Sequence, residues 1–231
     1  MLRRTLRRIV PTHAILPLCL TGLMNLFAYY GAKLLQCFIA FEARDVTLSL
    51  DALFPFSPGW IYVYIGTFLF WIYQYTTVAR ESPAMACRLA CSDAVAKVIC
   101  FLFFVLLPTT NVRPELEATG LTGFLMRFIW WVDTPTNLFP SIHCFVAWMG
   151  TRQLYDCRHL RYRGLVCTLC TIGSLLVFLS TLFTRQHVLL DVFGGVAVAE
   201  LGYLVGRFTA LPERFSRLND RFVKTKLCAI L

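Results

Sequence analysis

The sequence has few charged residues, and long stretches of it have none. Asp, Glu, Lys and Arg make up 15% of the 231 residues, and none occurs in residues 9–32, 52–79 or 164–184. Hydrophobic residues reach 58%, above the ~45–50% that is usual for soluble domains. Crossing a bilayer core takes roughly 20 apolar helical residues. The sequence therefore excludes an ordinary soluble domain and predicts one integral membrane domain over residues 1–231.

Three further apolar runs bring the predicted spans to six, an all-α transmembrane bundle. The run 98–112 is short, so we expect its helix to begin near Asp93, with Lys97 reaching out to the membrane surface. Residues 134–151 begin with polar, proline-rich sequence, and we expect this helix to start at Pro140 or Ser141 and to lie inside the bundle. The last run, 187–206, carries Asp191 and Glu200.

Several features that would indicate other functions are missing. The sequence has no internal repeat, and no clear small-residue cleavage site follows its first apolar run, so we expect that helix to be retained. Five of the ten cysteines fall in predicted spans, and the CxxC of Cys167 and Cys170 has no second pair or nearby histidine to complete a zinc site. No Asp/Glu cluster is present to hold magnesium. We predict no metal and no cofactor.

The basic residues predict the orientation, because Lys and Arg are retained on the cytoplasmic side. With both termini inside, seventeen of the 22 basic residues are cytoplasmic; Lys33, Arg44, Arg113, Arg127 and Arg185 are outside. This topology accounts for the net charge of +9 without nucleic acid as a partner. We expect a multi-pass plasma-membrane protein with cytoplasmic termini, whose partner is the lipid bilayer. The oligomeric state stays open.

Polar residues from separate segments gather on the predicted outer face. His187 and Asp191 are four residues apart, so on a helix the carboxylate can bind one ring nitrogen and leave the other as a nucleophile. A buried polar pair that ties helices together is the alternative. Ser141 and His143 begin a helix, where free N–H groups favour an anion; for Ser141 simple N-capping explains the residue equally well.

Two arginines are predicted on the same face. The planar guanidinium of Arg113 or Arg185 suits phosphate oxygens, although contact with lipid headgroups explains either one alone. Two histidines, a carboxylate, a helix N-terminus and two arginines together indicate metal-independent phosphoryl chemistry.

These residues also match motifs of a known family. "PSIH" (140–143) resembles the PSxH motif of the type 2 phosphatidic acid phosphatase family, membrane lipid phosphatases related to vanadium haloperoxidases. "STLFTRQHVLLD" (180–191) is similar to its SRxxxxxHxxxD motif, and "NVRPE" (111–115) to the end of KxxxxxxRP. The resemblance covers about residues 55–210. It implies a six-helix bundle with an extracytoplasmic site.

The resemblance implies a role for each matching residue. His187 would attack phosphorus to form a phosphohistidine, with Asp191 orienting it. His143 would protonate the leaving alkoxide and then activate water, and Ser141 and Arg113 would hold the phosphate oxygens. The substrate would be a phospholipid or isoprenoid phosphate.

Two positions depart from the family pattern. Leu106 stands in place of the first motif's lysine, and Thr181 in place of the third motif's arginine. Arg185 is a candidate substitute, and "TRQH" resembles a subgroup close to inositol phosphorylceramide synthase-like transferases. Besides hydrolysis, two functions therefore stay open: transfer of the phospho-headgroup to another lipid, and a non-catalytic member of the family.

The loop 115–139 and three isolated polar residues complete the predictions. Phe124, Phe128, Trp130 and Trp131 are typical of a membrane surface, so the loop is expected to lie across the outer face, as an anchor or a lipid entrance. Glu200 is expected to form a hydrogen bond in helix packing, and His13 and His159 to be interfacial.

Overall fold

The structure is a computed structural model that describes residues 10–38 and 42–224. It contains eight helices: α1 Thr12–Gln36 with a π-helical stretch at Phe27–Gly31, α2 Ile61–Glu81, α3 Pro83–Leu106, α4 Gly120–Val132, α5 Ile142–Leu154, α6 Arg163–Phe183, α7 Leu189–Phe208 and α8 Leu211–Val223. Two-residue strands β1 Arg44–Asp45 and β2 Thr109–Thr110 pair in parallel. The predicted all-α class is confirmed; the basic N-terminal segment and the end of the C-terminal tail lie outside the described residues.

Four helices in the described part of the chain are long and apolar enough to cross a membrane: α1, α3, α6 and α7. Helix α2 has 21 residues, but Tyr, Gln and Thr side chains make it less apolar. Helix α5 has 13 residues, fewer than the roughly 20 that a crossing takes. A helical membrane protein is thus supported, and six crossings stay a prediction.

Helix α5 is the centre of the bundle. It packs against α2, α6 and α7, and ten of its 13 residues are buried, including Phe145 and Met149. Ser141 is its N-cap and accepts a hydrogen bond from the backbone N–H of Cys144 at 3.3 Å. The predicted start and interior position of this helix are confirmed. A short helix suffices here because neighbouring helices, rather than lipid, surround it.

The predicted start of α3 near Asp93 was wrong. The helix begins ten residues earlier, at Pro83, after the N-cap Ser82. Lys97 does not reach the surface either: it is 2% exposed, and its Nζ lies 2.8 Å from the Asp93 carboxylate and donates to the Thr21 carbonyl at 2.8 Å. Because the two charges neutralise each other inside the bundle, they do not end the helix.

The segment 115–139, expected as a loop, contains helix α4. Its Gly123, Met126 and Ile129 are buried, while Phe124 and Trp131 are more than 60% exposed. The apolar residues therefore follow the helical period on two faces, one against the bundle and one outward. Aromatic residues do stand at the surface of this segment, as expected.

Two ion pairs, Glu81–His159 and Arg88–Asp156, lie at one end of the helices, and the histidine pair lies at the other. Where α2 ends and α3 begins, Glu81 binds His159 and Arg88 binds Asp156. His143 and His187 stand at the other end, where α5 and α7 begin. The hydrogen bond expected of Glu200 is present, from Trp148 Nε1 at 2.7 Å. His13 contacts the Ala79 carbonyl at 3.1 Å, and His159 is largely exposed.

The Asp93–Lys97 pair generates a stability prediction. We expect Asp93→Leu to destabilise the protein by about 3–5 kcal/mol, because it leaves a buried ammonium without its partner. The double variant Asp93→Leu/Lys97→Met removes both charges and is expected to recover most of that loss. Thermal unfolding in detergent measures both; a single variant as stable as the wild type would contradict the prediction.

Candidate functional site

His187 and Asp191 form the first half of the site, at the start of α7. The Asp191 Oδ2 atom lies 3.2 Å from His187 Nδ1 and accepts a hydrogen bond from the Val188 N–H at 3.0 Å. Asp191 is fully buried and His187 is 6% exposed. A carboxylate only accepts hydrogen bonds, so the ring carries its proton on Nδ1. The free Nε2 atom is the nucleophilic one.

His143 completes the pair from α5. His143 is the second residue of α5. Its Nδ1 atom lies 3.4 Å from His187 Nε2. Ser141 joins the two helices, because its backbone N–H donates to the Asp191 carbonyl at 3.0 Å. The structure therefore brings His143, His187 and Asp191 into one chain of contacting polar groups, with Ser141 beside it. Ser141 Oγ is engaged in capping α5.

Glycine allows the two helices to approach this closely. A Cβ at Gly195 would lie 2.6 Å from the Ser141 carbonyl oxygen and 3.1 Å from Cys144 Cβ. Both distances are shorter than ordinary van der Waals contact. The separation of His143 from His187 thus depends on the missing side chain at Gly195.

Sequence reasoning missed the residues that surround His143. The Tyr64 hydroxyl lies 2.8 Å from His143 Nε2 and donates to the Asp133 carboxylate at 3.4 Å. Tyr29 donates to the other oxygen of Asp133 at 2.6 Å. The rings of Tyr64 and Trp71 pack on the imidazole, at centroid distances of 4.8 and 5.3 Å. One signal was available: Asp133 is the only acidic residue between Glu117 and Asp156.

Arg113 lies beside the pair rather than on it. Its guanidinium donates to the backbone carbonyls of Trp130 and Asp133 at 3.1 and 2.7 Å, and to the Gln186 side chain at 2.9 Å. The buried Nε has no partner within the described residues. Burial lowers the pKa of this guanidinium, and the negative charge of Asp133 opposes that shift. Arg113 therefore binds Gln186, the residue that directly precedes His187.

Arg185 occupies a separate place. Its backbone is left-handed (φ 54°), and its carbonyl accepts a hydrogen bond from Asn111 at 3.1 Å. Its side chain lines a cavity of about 320 Å³ with Asp45 and Thr47. In the described part of the chain no hydrogen bond joins it to either histidine, so the predicted substitute for a motif cation lies away from the pair in this structure.

The two departures from the motif also differ in position. Leu106, at the end of α3, is 71% exposed and does not point into the bundle. Thr181 is buried; its hydroxyl donates to the Phe178 carbonyl at 2.8 Å, and its own carbonyl accepts the backbone N–H of His187 at 3.1 Å. Thr181 therefore shapes the turn that carries His187.

An apolar groove of about 230 Å³ reaches His143 from the side. Tyr29, Tyr64 and Asp133 stand with His143 at its polar end, and its walls are mostly apolar. The apolar wall residues are Leu26, Phe68, Trp71, Ile129, Val132 and Ile142. The groove runs between α1, α2 and α4. Because its walls are mostly apolar, they suit a hydrocarbon chain, and His143 lines the same groove.

No group of three or more His, Cys, Asp or Glu side chains within residues 10–38 and 42–224 is placed to hold a metal ion. Comparison with protein-family models, with curated proteins and with solved structures gives no match.

Gly195 generates a prediction about the site. Gly195→Ala is expected to destabilise the protein by about 1–3 kcal/mol through overpacking, because the new methyl group meets the Ser141 carbonyl. Gly66→Ala on α2 is the matched control, since nothing lies within 4 Å of a Cβ there. Thermal unfolding in detergent compares the two variants; equal stability of both would contradict the close approach of α5 and α7.

Proposed function

We propose that this protein is a metal-independent lipid phosphatase that hydrolyses a phosphate ester of a membrane lipid through a phosphohistidine. One observation carries the proposal: a nucleophilic nitrogen oriented by a buried carboxylate, His187 with Asp191, lies 3.4 Å from a second histidine. The likeness of "PSIH" and "STLFTRQHVLLD" to the phosphatidic acid phosphatase motifs supports it.

The proposed reaction has two steps. His187 Nε2 attacks phosphorus and the bond to the lipid oxygen breaks, while doubly protonated His143 gives its Nδ1 proton to the departing oxygen and becomes neutral. His143 then takes a proton from water, the water oxygen bonds to phosphorus, and the phosphorus–nitrogen bond breaks to release phosphate. Asp191 holds the ring of His187 and stabilises its positive charge, as the carboxylate of a catalytic triad does.

Several groups are available to bind the phosphate. The N-terminus of α5 presents backbone N–H groups and the positive end of the helix dipole beside His143. Arg113, hydrogen-bonded to the Gln186 side chain at 2.9 Å, supplies a guanidinium whose buried Nε has no partner within the described residues. Arg185 would have to turn in from its own cavity to take part. Because none of these groups is an acidic cluster, we expect the reaction to proceed without a divalent ion.

The groove supports a lipid as the substrate class. It places mostly apolar walls next to the polar end that holds His143, and four helices are long and apolar enough to cross a membrane. We propose that the acyl or prenyl chain lies in the groove while the phosphate reaches the histidines. Exposed aromatic residues of α4, such as Phe124 and Trp131, would sit at headgroup level.

The same groove favours a second candidate, phosphotransfer. A phosphohistidine passes its group to whichever hydroxyl reaches it, and an apolar opening beside His143 admits a lipid alcohol as well as water. In that case the enzyme would move a phospho-headgroup between lipids, as inositol phosphorylceramide synthase-like proteins do.

For both activities we propose the same orientation. The arginines that cluster where α2 ends, where α6 begins and where α7 ends would face the cytoplasm, together with both termini, by the positive-inside rule. The histidine pair would then open on the extracytoplasmic side of the plasma membrane.

The first functional prediction is turnover in EDTA. We expect purified protein to release phosphate from a lipid phosphate, or to transfer it to an added alcohol, and His187→Ala to lower the rate by about 10³-fold or more. His159→Ala is the control, since that exposed histidine lies at the opposite end and pairs with Glu81. A panel of phosphatidic acid, phosphatidylglycerol phosphate, polyprenyl diphosphate and a phosphoinositol donor identifies the lipid. Absence of turnover on every lipid and acceptor would indicate a non-catalytic member of the family.

The second functional prediction concerns the intermediate. During turnover of a ³²P-labelled substrate we expect acid-labile phosphate on His187. The label is expected to last longer in His143→Ala, because general-base catalysis of the second step, worth about 10²–10⁴-fold, is lost. Rapid quench and peptide mapping measure both effects. Label on Ser141 instead would refute the mechanism.

A further inference from the structure

The histidine pair is the middle of a longer chain of contacting polar groups. Beyond His187 lies Asp191, at 3.2 Å; beyond His143 lies the Tyr64 hydroxyl at 2.8 Å, and beyond that the Asp133 carboxylate at 3.4 Å. A carboxylate therefore stands at each end, one bound directly to its histidine and one through a tyrosine. Asp191 is four residues from His187, whereas the partners of His143 lie on other helices: Tyr64 on α2 and Asp133 at the end of α4.

The single proton of Tyr64 decides the direction of these hydrogen bonds. An ionised carboxylate can only accept, so the Tyr64 hydroxyl donates to Asp133 and its oxygen is left to accept from His143. One proton of His143 is then held on Nε2. Its Nδ1 atom, which lies 3.4 Å from His187 Nε2, carries a proton only when the ring is doubly protonated, and that second proton is the one exchanged with the substrate.

Asp133 is held in place for this role. Tyr29 donates to its Oδ1 atom at 2.6 Å, and Lys33 and Arg113 supply positive charge next to it. Tyr64 is 1% exposed, and its ring packs on the imidazole of His143. The hydroxyl between the two groups is thus fixed by packing, and water does not replace it easily.

We propose that Asp133, acting through Tyr64, is the positioning group of His143, as Asp191 is for His187. This inference rests on the proposed function for its catalytic part. Neither Tyr64 nor Asp133 touches the reacting atoms; they set which nitrogen of His143 carries the exchangeable proton.

The catalytic test compares two leaving groups. With an alkyl lipid phosphate, which needs a general acid, we expect Tyr64→Phe and Asp133→Asn each to lower the single-turnover rate of phosphohistidine formation by about tenfold or more. With p-nitrophenyl phosphate, whose leaving group departs without a proton, we expect the same rate to fall by no more than about threefold, because no general acid is needed. Tyr62→Phe is the matched control: it lies on the same helix, and its hydroxyl contacts Thr122 at 2.8 Å instead. Equal losses on both substrates would indicate a merely structural role and overturn the proposal.

A second measurement needs no turnover. The chain has four histidines, so ¹⁵N-histidine NMR in detergent gives few signals, and His143→Gln assigns the one of interest. We expect neutral His143 to carry its proton on Nε2 in the wild type and to shift toward Nδ1 in Tyr64→Phe and Asp133→Asn. An unchanged tautomer in both variants would refute the inference. A wild type with the expected tautomer but no turnover would instead remove the proposed function and leave the positioning intact.

Discussion

The site depends on one junction, the contact between the beginnings of α5 and α7. The Ser141 N–H donates to the Asp191 carbonyl at 3.0 Å, while the Asp191 carboxylate binds His187 and the Val188 N–H. One residue thus starts α7, orients His187 and anchors the helix that carries His143. Because Gly195 lacks a side chain, the two helix ends meet at backbone distance.

The local part of this arrangement is readable from the sequence. His187 and Asp191 stand four apart, which places them on one helix face, and Ser141 after Pro140 is a helix start by capping chemistry. Apolar runs likewise predict α1, α6 and α7 to within a few residues, because their apolar length is a property of the segment alone. The interior position of α5 followed from its polar, proline-rich beginning.

The placements of Lys97, Tyr64 and Arg185 were not predicted, because they depend on contacts between segments distant in sequence. Lys97 reads as a helix-end lysine until the Thr21 carbonyl, 76 residues away, accepts from it and Tyr75 binds its neighbour Asp93, and so α3 was expected to begin too late. Tyr64 reads as one more aromatic in an apolar run, and its partner Asp133 lies 69 residues away. Arg185 is two residues from His187 in the chain, yet its left-handed backbone turns it into a different cavity. Spacing along the chain identifies none of these placements.

The charges around the pair bear on how a phosphate would be held. Asp191 is bound to His187, and Asp133 has Lys33 and Arg113 nearby, so each carboxylate already has a partner. Leu106 and Thr181 supply no positive charge where the resembling motifs have Lys and Arg. A phosphate bound here would then be balanced by Arg113, by the N-terminus of α5 and by a protonated His143. In the proposed mechanism, the proton that His143 gives to the leaving group also stabilises the bound anion. The placement of that proton by Tyr64 and Asp133 therefore matters more here than in a site with two further cations.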